Sequence, residues 1–296
     1  MVQQKLDSVL IVGGTGKVAK YMVPELLKDP HFTRVGITTR ANSMNDTKKK
    51  LLDSYEAQGV HVNILDYENE ASLTSVLEEY TTVVSFVEEG DFAFKIVDLA
   101  SQSGIQRFVP NVWGVDYVVN NHLSFLAVRE KVREHIVKCG MEYTEFMVGF
   151  FLENISVKGA AWIGVDLKEG KATFYGNGDA PVSWTHRRDA VKFFVAALKN
   201  PSQSRNRTYR VEGSRASVKE LADLFDARSE QKLKRSLISY DEIREKNLKM
   251  NDEVDFAVMG GSGTAVVNPN GEQLDNALFA EIVPTTVSEW IVELYQ

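Results

Sequence analysis

Short runs of β-branched and other apolar residues recur along the first half of the chain. The runs that we predict as strands are Val9–Val12, Val35–Thr38, Val60–Ile64, Val83–Phe86 and Arg107–Pro110. They begin about 25 residues apart, which is the length of one strand plus a crossover helix. Because the runs are almost entirely apolar, they indicate a parallel sheet that is covered by helices on both faces.

Helical spacing occupies the segments between these runs. Val18, Met22 and Leu26 lie four residues apart on one helix face. A charged surface helix is predicted at Lys48–Ala57, and a long helix from Leu123 to Cys139 precedes a sixth strand at Thr144–Val148. This alternation predicts a Rossmann-type, doubly wound α/β sheet.

After Phe151 the pattern changes to that of a smaller α+β lobe. Turns are predicted at Gly170, Gly176 and Gly178, strands at Val182–Thr185 and Tyr209–Val211, and helices opening at Asp189, after Ser217 and after Thr286. The last two starts carry capping-box pairs, Ser217 with Glu220 and Thr286 with Glu289. We predict a nucleotide-binding domain at residues 1–152, rejoined by 183–204. The substrate-binding lobe is predicted at 153–182 and 205–296.

Composition and charge restrict the possible partners. The chain has 296 residues, 44% of them hydrophobic, and a net charge of −7, which argues against a nucleic-acid or anionic-membrane surface. It has one cysteine, Cys139, so no internal disulfide is expected. We see no signal peptide or membrane-spanning stretch. These features predict a cytoplasmic protein whose partner is a small-molecule substrate.

A glycine turn follows the first predicted strand and opens the first predicted helix. Gly13 allows the tight turn, Gly16 lets the backbone approach a diphosphate, and the small Ala19 permits close helix–strand packing. The helix start would offer N–H groups and the positive end of its dipole to the anion. Other cofactor contacts are predicted nearby, at Thr15, Lys17 and Val18.

The end of the second strand indicates which dinucleotide binds. An NAD site carries an acidic residue there, whereas this chain has Arg40, with Lys48 a few residues further on. The planar fork of an arginine can hold a 2′-phosphate, and a lysine can add a point charge. We therefore predict NADP(H) as cofactor. Further cofactor contacts are predicted near the carboxyl ends of later strands, at Asp66, Ser85, Phe86 and Asn111.

Aromatic residues follow the fifth and sixth predicted strands. Trp113, Phe150 and Phe151 would form a flat apolar wall, suited to an aromatic or polycyclic substrate. His186 ends a strand just before a helix and is a candidate proton shuttle, whereas Asp189 is more simply a first-turn acid. The histidines show no metal-ligand spacing, so we predict no metal. Residues 260–263 are predicted as a loop over the substrate.

Several segments together resemble the NmrA-like and isoflavone-reductase-like family of atypical short-chain dehydrogenases. They are the glycine turn, residues 37–40, 48–52, 59–66, 104–110, 114–116, 143–144, 149–154 and 184–189. The resemblance covers most of the first 200 residues and fades in the last 80. It implies an NADP-binding domain, a substrate cleft between lobes and often a monomer, so we expect a monomer or weak homodimer. Members include plant phenylpropanoid reductases, fungal natural-product enzymes and redox-sensing regulators, and we expect this chain to be a fungal tailoring enzyme.

The chain departs from this family where acid–base catalysis is concerned. Catalytic members carry a lysine fourteen residues before the Tyr143–Thr144 pair, and Arg129 occupies that position here. Arginine stays protonated, so it can supply only hydrogen bonds and positive charge. The short-chain dehydrogenase pair of tyrosine and lysine is also missing, since Asn121 stands four residues after Tyr117. Tyr117 is the best remaining proton donor, because Arg129 nearby would lower its pKa.

Three functions follow from these residues. The first is an NADP(H)-dependent oxidoreductase that transfers hydride to or from an aromatic or polycyclic molecule, such as an iminium or enone. The second is a cyclase of a natural-product pathway that couples cofactor redox to ring closure. The third is a regulator that binds NADP(H) without turnover. The aromatic wall and Arg40 favour the oxidoreductase.

Overall fold

The computed structural model describes residues 6–87, 90–121, 124–155, 164–239, 241–242, 263–271 and 273–294. Its strands are β1 Ser8–Val12, β2 Arg34–Arg40, β3 His61–Leu65, β4 Thr82–Ser85, β5 Arg107–Val109, β6 Glu142–Met147, β7 Phe150–Phe151, β8 Val165–Asp166, β9 Lys171–Tyr175, β10 Pro181–Thr185, β11 Arg207–Arg210, β12 Ser214–Ser217 and β13 Lys234–Ile238.

The helices are α1 Ala19–Lys28, α2 Asp46–Ala57, α3 Glu70–Leu77, α4 Asp91–Gln102, α5 Ser124–Lys138, α6 Arg187–Leu198, α7 Pro201–Ser204, α8 Val218–Asp226 and α9 Val287–Leu294. Short 3₁₀ turns occupy Ala41–Ser43, Leu152–Asn154 and Asp275–Phe279. In the part of the chain that the structure describes, no helix combines the length and apolarity that crossing a bilayer requires.

Seven strands form the main sheet in the order β11-β6-β5-β4-β1-β2-β3. The pairs from β6 through β5, β4, β1 and β2 to β3 are all parallel. The order reverses between β1 and β4, which is the topological switch point where doubly wound sheets bind their ligands. The predicted Rossmann-type fold is confirmed.

Helices cover the sheet because their apolar stripes need burial. Side chains of α3, α4 and α5 share one core cluster with those of β1, β4 and β5, including the buried Leu73, Ile96 and Ile136. Because the strand order reverses after β3 and crossovers between parallel strands are right-handed as a rule, we expect α1 and α2 on the opposite face. Ala19, Met22, Val23 and Leu26 of α1 are fully buried, which confirms the predicted helix face.

A buried arginine fastens the sheet where β5 and β6 meet. Arg107 has no exposed surface, and its guanidinium donates to Glu142 Oε2 at 2.6 Å. The same group donates to the hydroxyls of Thr144 and Ser204, each at 2.8 Å, and to the Pro201 carbonyl at 3.1 Å. Burial lowers the pKa of Arg107, but the Glu142 carboxylate opposes this shift. The network therefore joins β5, β6 and α7.

The chain divides into two compact units. One contains residues 1–112, 124–145 and 191–209, and the other contains 113–123, 146–190 and 210–296. The second unit contains two small sheets, β12-β10-β7 and β13-β9-β8. Gly149 in this unit has a φ of +70°, and a Cβ there would overlap the Ser183 backbone carbonyl. Only glycine satisfies both conditions.

The helix predicted to open at Asp189 begins instead at Arg187. The backbone N–H of Arg187 donates to Glu153 Oε1 at 2.9 Å, and that of Arg188 donates to His186 Nδ1 at 3.0 Å. These acceptors satisfy the first-turn N–H groups and move the helix start two residues earlier. Asp189 is a first-turn acid, as predicted, and its Oδ2 also accepts from the Thr285 N–H at 2.7 Å.

Both predicted capping boxes are present. Ser217 Oγ accepts from the Glu220 N–H at 3.1 Å, and Glu220 Oε2 accepts from the Ser217 N–H at 2.6 Å. Thr286 and Glu289 make the corresponding pair of contacts. Side chains three residues apart thus satisfy N–H groups that a helix start leaves open.

We expect Ser217→Ala to lower the free energy of unfolding by about 1 kcal/mol, because it removes one cap of α8. Urea denaturation followed by circular dichroism measures this change. Ser288→Ala is the matched control, because Ser288 is an exposed serine within helix α9. A loss of the same size in both variants would contradict a specific role for the cap.

Candidate functional site

The glycine turn packs tightly between β1 and β2. The N–H groups of Gly13 and Gly14 donate to the Thr38 carbonyl at 3.1 and 3.0 Å, and Gly13 has a φ of +86°. A Cβ at Gly14 would overlap the Ile37 side chain, so a larger residue would push the turn away from β2. Gly16, which is partly exposed, donates to the Gly13 carbonyl at 3.0 Å. The predicted turn is therefore present.

The start of α1 suits an anion. Its N-cap, Val18, makes no side-chain cap hydrogen bond, and no acidic residue lies in the first turn. Thr15 is partly exposed, with its hydroxyl 3.4 Å from that of Thr39, while Lys17 is exposed and Val18 is largely buried. Backbone N–H groups at a helix start bind phosphate through the helix dipole. The residues present here fit a dinucleotide diphosphate.

A cavity of about 460 Å³ lies beyond the end of β2. It is lined by Arg40, Ala41, Asn42, Leu65, Asp66, Tyr67, Glu68 and Phe92. The Arg40 guanidinium lies 5.7 Å from the centre of the Tyr67 ring, which is stacked on Phe92 at 5.3 Å. The cavity offers one cation and flat apolar surfaces, which suit a phosphorylated adenosine, and its lining also contains the carboxylates of Asp66 and Glu68.

Tyr67 is one of the cavity residues that were not predicted from the sequence. Its hydroxyl lies 2.6 Å from that of Thr38, and burial raises the pKa of Tyr67, so the phenol stays neutral. This bond connects the cavity to the strand whose carbonyl accepts from the glycine turn. A signal was present, because an aromatic residue directly follows Asp66 at the end of β3.

Asp66 and Lys48, two predicted cofactor residues, differ in their positions. Asp66 lines the cavity, where its carboxylate also accepts from the Glu68 N–H at 3.1 Å. Lys48 lies in the first turn of α2, with its backbone N–H bound to Asn45 Oδ1 at 2.9 Å. It is not among the lining residues, so Arg40 is the cation that the described cavity offers to a phosphate.

The carboxyl ends of β4 and β5 bring three predicted residues together. Ser85, Asn111 and Arg129 line one small recess of about 20 Å³, the space of about one water molecule. Asn111 Nδ2 donates to the Val87 carbonyl at 3.2 Å. Phe86 directly follows Ser85 in the sequence. Its N–H donates to the Val12 carbonyl at 2.9 Å, and the residue lies against Gly13. Arg129 therefore reaches this edge of the sheet from α5.

The predicted substrate residues all belong to the second unit. Trp113 is stacked on Phe146 at 5.6 Å, and Phe150 makes an edge contact with Trp184 at 5.6 Å. Phe151 is partly exposed, and the guanidinium of Arg187 lies over its ring. The role of these three rings as a substrate wall stays a prediction.

The two remaining catalytic candidates, Tyr117 and His186, are buried in the second unit, whereas Arg129 belongs to the first. His186 Nδ1 accepts a hydrogen bond from the Arg188 N–H, which leaves the proton of a neutral ring on Nε2. A carboxylate that sequence reasoning missed, Glu153, lies 3.4 Å from the same Nδ1. In the loop predicted at 260–263, residues 260–262 lie outside the described part of the chain.

Fold and site together define the class of protein, a Rossmann-type protein with a dinucleotide site at the carboxyl ends of its parallel strands. Comparison with known proteins gives the family. The model of the NmrA-like family matches residues 5–291, so the chain belongs to that family. The predicted membership is confirmed; the expectation of a fungal natural-product enzyme stays a prediction.

Named relatives lie at moderate sequence distance. The chain is 26% identical, over 98% of each chain, to an isoflavone reductase homolog of Nicotiana glauca. Among solved structures it is similar to AtPrR2 with NADP⁺ and (+)-pinoresinol. The TM-score is 0.80 and the identity 21%, and the match covers 97% of this chain and 98% of that one. It is also similar to a complex of leucoanthocyanidin reductase with NADPH from Vitis vinifera. The TM-score is 0.78 and the identity 19%, and the match covers 97% of this chain and 98% of that one. The predictions of an enzyme and of NADP(H) agree with these relatives.

Proposed function

We propose that this protein is an NADP(H)-dependent oxidoreductase that acts on an aromatic small molecule. The observation that carries the proposal is the cavity at the end of β2, where Arg40 lies beside Tyr67 and Phe92. It adjoins a helix start that fits a diphosphate. An NAD-specific site would need a carboxylate where Arg40 stands.

We assign the residues of the glycine turn and of the cavity to different parts of the cofactor. Gly13 and Gly16 let the backbone approach the diphosphate, Arg40 pairs with the 2′-phosphate, and Tyr67 provides a flat face. The cofactor supplies a hydride when it is bound as NADPH. Ser85, Asn111 and Arg129 line the recess at the ends of β4 and β5, and we assign them to holding the nicotinamide half.

Arg129, in the position of the family's lysine, favours a reaction that needs little acid–base catalysis. A guanidinium remains protonated in proteins, so this side chain orients groups and stabilises negative charge but does not exchange a proton. An acceptor carbon that is already electron-poor, such as that of an iminium or enone, places little demand on acid catalysis. Relatives named as reductases of isoflavone and leucoanthocyanidin type support an aromatic substrate.

The direct test follows absorbance at the nicotinamide band. Purified protein and NADPH are mixed with a panel of aromatic enones and imines, and the products are identified by mass spectrometry. Substrate-dependent loss of NADPH with a reduced product supports the proposal. A rearranged product that needs the cofactor without net consumption would indicate a cyclase. Tight NADPH binding with no turnover of any compound would indicate a sensor.

We expect Arg129→Ala to lower kcat/KM about 30-fold, because a charge-assisted hydrogen bond contributes roughly 2 kcal/mol. Arg129→Lys keeps the charge and should retain most activity. Lys131→Ala is the control, because Lys131 is an exposed cation on the same helix. Steady-state kinetics with the best substrate of the panel measures all three variants. Unchanged kcat/KM in Arg129→Ala would remove this residue from the active site.

A further inference from the structure

One group of metal-ligating side chains lies apart from the nucleotide site. Among the described residues, Asp98, His135 and Cys139 present three ligand atoms that all lie within 4.8 Å of one another. His135 Nε2 is 2.7 Å from Asp98 Oδ1, and Cys139 Sγ is 3.6 Å from the same oxygen. The sulfur and the imidazole nitrogen are 3.7 Å apart. A carboxylate, an imidazole and a thiol thus converge on one point.

Two packed helices hold this group. His135 and Cys139 are four residues apart, at α5 and just after its end, so they lie on one helical face. Asp98 comes from α4, whose Val97 and Ala100 share a buried cluster with Ile136. The ligand atoms are therefore positioned by core packing and not by a loop.

A second contact fixes the end of α5 against α4. Ser101 Oγ donates to the Cys139 carbonyl at 2.9 Å, and the ring of Phe94 meets that of His135 edge-on at 5.5 Å. The orientation of the His135 ring and the backbone of Cys139 are thus both restrained. Pre-positioned ligands lose little conformational entropy when a metal binds.

The distances match a tetrahedral zinc ion. Bonds of about 2.0–2.3 Å to oxygen, nitrogen and sulfur place the ligand atoms roughly 3.3–3.7 Å apart. Two of the three separations are already 3.6 and 3.7 Å, and the contact between Asp98 and His135 would open by less than about 1 Å. The Asp98 side chain is 49% exposed, so solvent can reach the group and supply a fourth ligand.

We propose that Asp98, His135 and Cys139 bind one Zn²⁺, with water as the fourth ligand, and that the ion links α4 to α5. Binding replaces the thiol proton of Cys139, which is released to solvent. The Nε2 proton that His135 shares with Asp98 is exchanged for one on Nδ1, so that the neutral ring binds the ion through Nε2. No change of oxidation state is involved. The proposal departs from the expectation of no metal, which stays untested, and it is independent of the proposed redox function.

The test uses full-length protein stripped with EDTA and titrated with Co²⁺, which reports thiolate coordination by a charge-transfer absorption. We expect one equivalent to produce the band and one equivalent of Zn²⁺ to abolish it. Cys139→Ser should remove the band, and His135→Gln should weaken Co²⁺ binding at least about tenfold. Glu134→Gln is the matched control, because Glu134 is an exposed acid on the same helix and not part of the group.

A melting experiment gives an independent readout. Because the ion would bind the folded chain, Zn²⁺ should raise the Tm of the wild type and of Glu134→Gln but not that of Cys139→Ser. NADPH binding by each variant shows that the fold is intact. The proposal is overturned if no charge-transfer band forms, if the band persists in Cys139→Ser, or if Zn²⁺ leaves the Tm of the wild type unchanged.

Discussion

Replacing Arg107 by methionine is expected to lower the free energy of unfolding by about 3 kcal/mol. The guanidinium is fully buried and makes hydrogen bonds to Glu142, Thr144, Ser204 and the Pro201 carbonyl. Its removal leaves these acceptors enclosed and poorly paired, and each buried unpaired polar group costs about 1–3 kcal/mol. Methionine fills part of the volume, so the loss reflects mainly the polar network. Chemical denaturation measures it.

Arg205 provides a matched control for this variant. Its guanidinium binds the other oxygen of Glu142, at 2.7 Å, but the side chain is 64% exposed. We expect Arg205→Met to cost less than about 1 kcal/mol, because solvent screens an exposed ion pair. Equal losses in the two variants would mean that burial of Arg107 is not the source of its effect.

Replacing Arg40 by alanine is expected to weaken NADPH binding roughly 30- to 150-fold, the equivalent of about 2–3 kcal/mol. The expected loss comes from the bidentate pairing of a guanidinium with the 2′-phosphate, which alanine cannot make. NADH carries no such phosphate, so its affinity should change little. Titration of nicotinamide fluorescence measures both affinities in the same preparation.

Lys48→Ala is the informative comparison for the Arg40 variant. The sequence offers both cations to the phosphate, but the described cavity is lined by Arg40 and not by Lys48. We expect Lys48→Ala to weaken NADPH binding less than about threefold, as for a screened surface charge. An equal loss of NADPH and NADH affinity in Arg40→Ala would contradict the assignment of the 2′-phosphate.

Much of the fold could be predicted because its signals are local. The β-branched run at 82–85 identifies a buried strand, and the pair Ser217 and Glu220 identifies a helix start from a spacing of three residues. The start of helix α6 could not be predicted from local signals. Its first-turn N–H, that of Arg187, donates to Glu153, which lies 34 residues away in the chain. Likewise, β13 is largely exposed and polar, and only its pairing with β9 makes it a strand.

In the candidate site, too, the residues that are contiguous in sequence could be predicted, and those that only the fold brings together could not. The glycine turn is contiguous in sequence, so its role could be predicted from Gly13 and Gly16 alone. Phe92 could not be assigned, because it reaches the site through a stack on Tyr67, which lies 25 positions earlier in the chain. The proposed metal ligands could not be grouped from the sequence for a similar reason, since Asp98 and His135 are separated by 37 residues and share no motif.

The Arg107 network also affects the order in which the chain acquires its structure during synthesis. Arg107 leaves the ribosome 97 residues before Ser204, and the nucleotide-binding unit is completed only by residues 191–209. Glu142 and Thr144 are made earlier, but until then the Ser204 hydroxyl and the Pro201 carbonyl are missing, so we expect the guanidinium to be only partly enclosed. A fragment ending near residue 150 would lack both α7 and β11, so β6 would keep an open sheet edge.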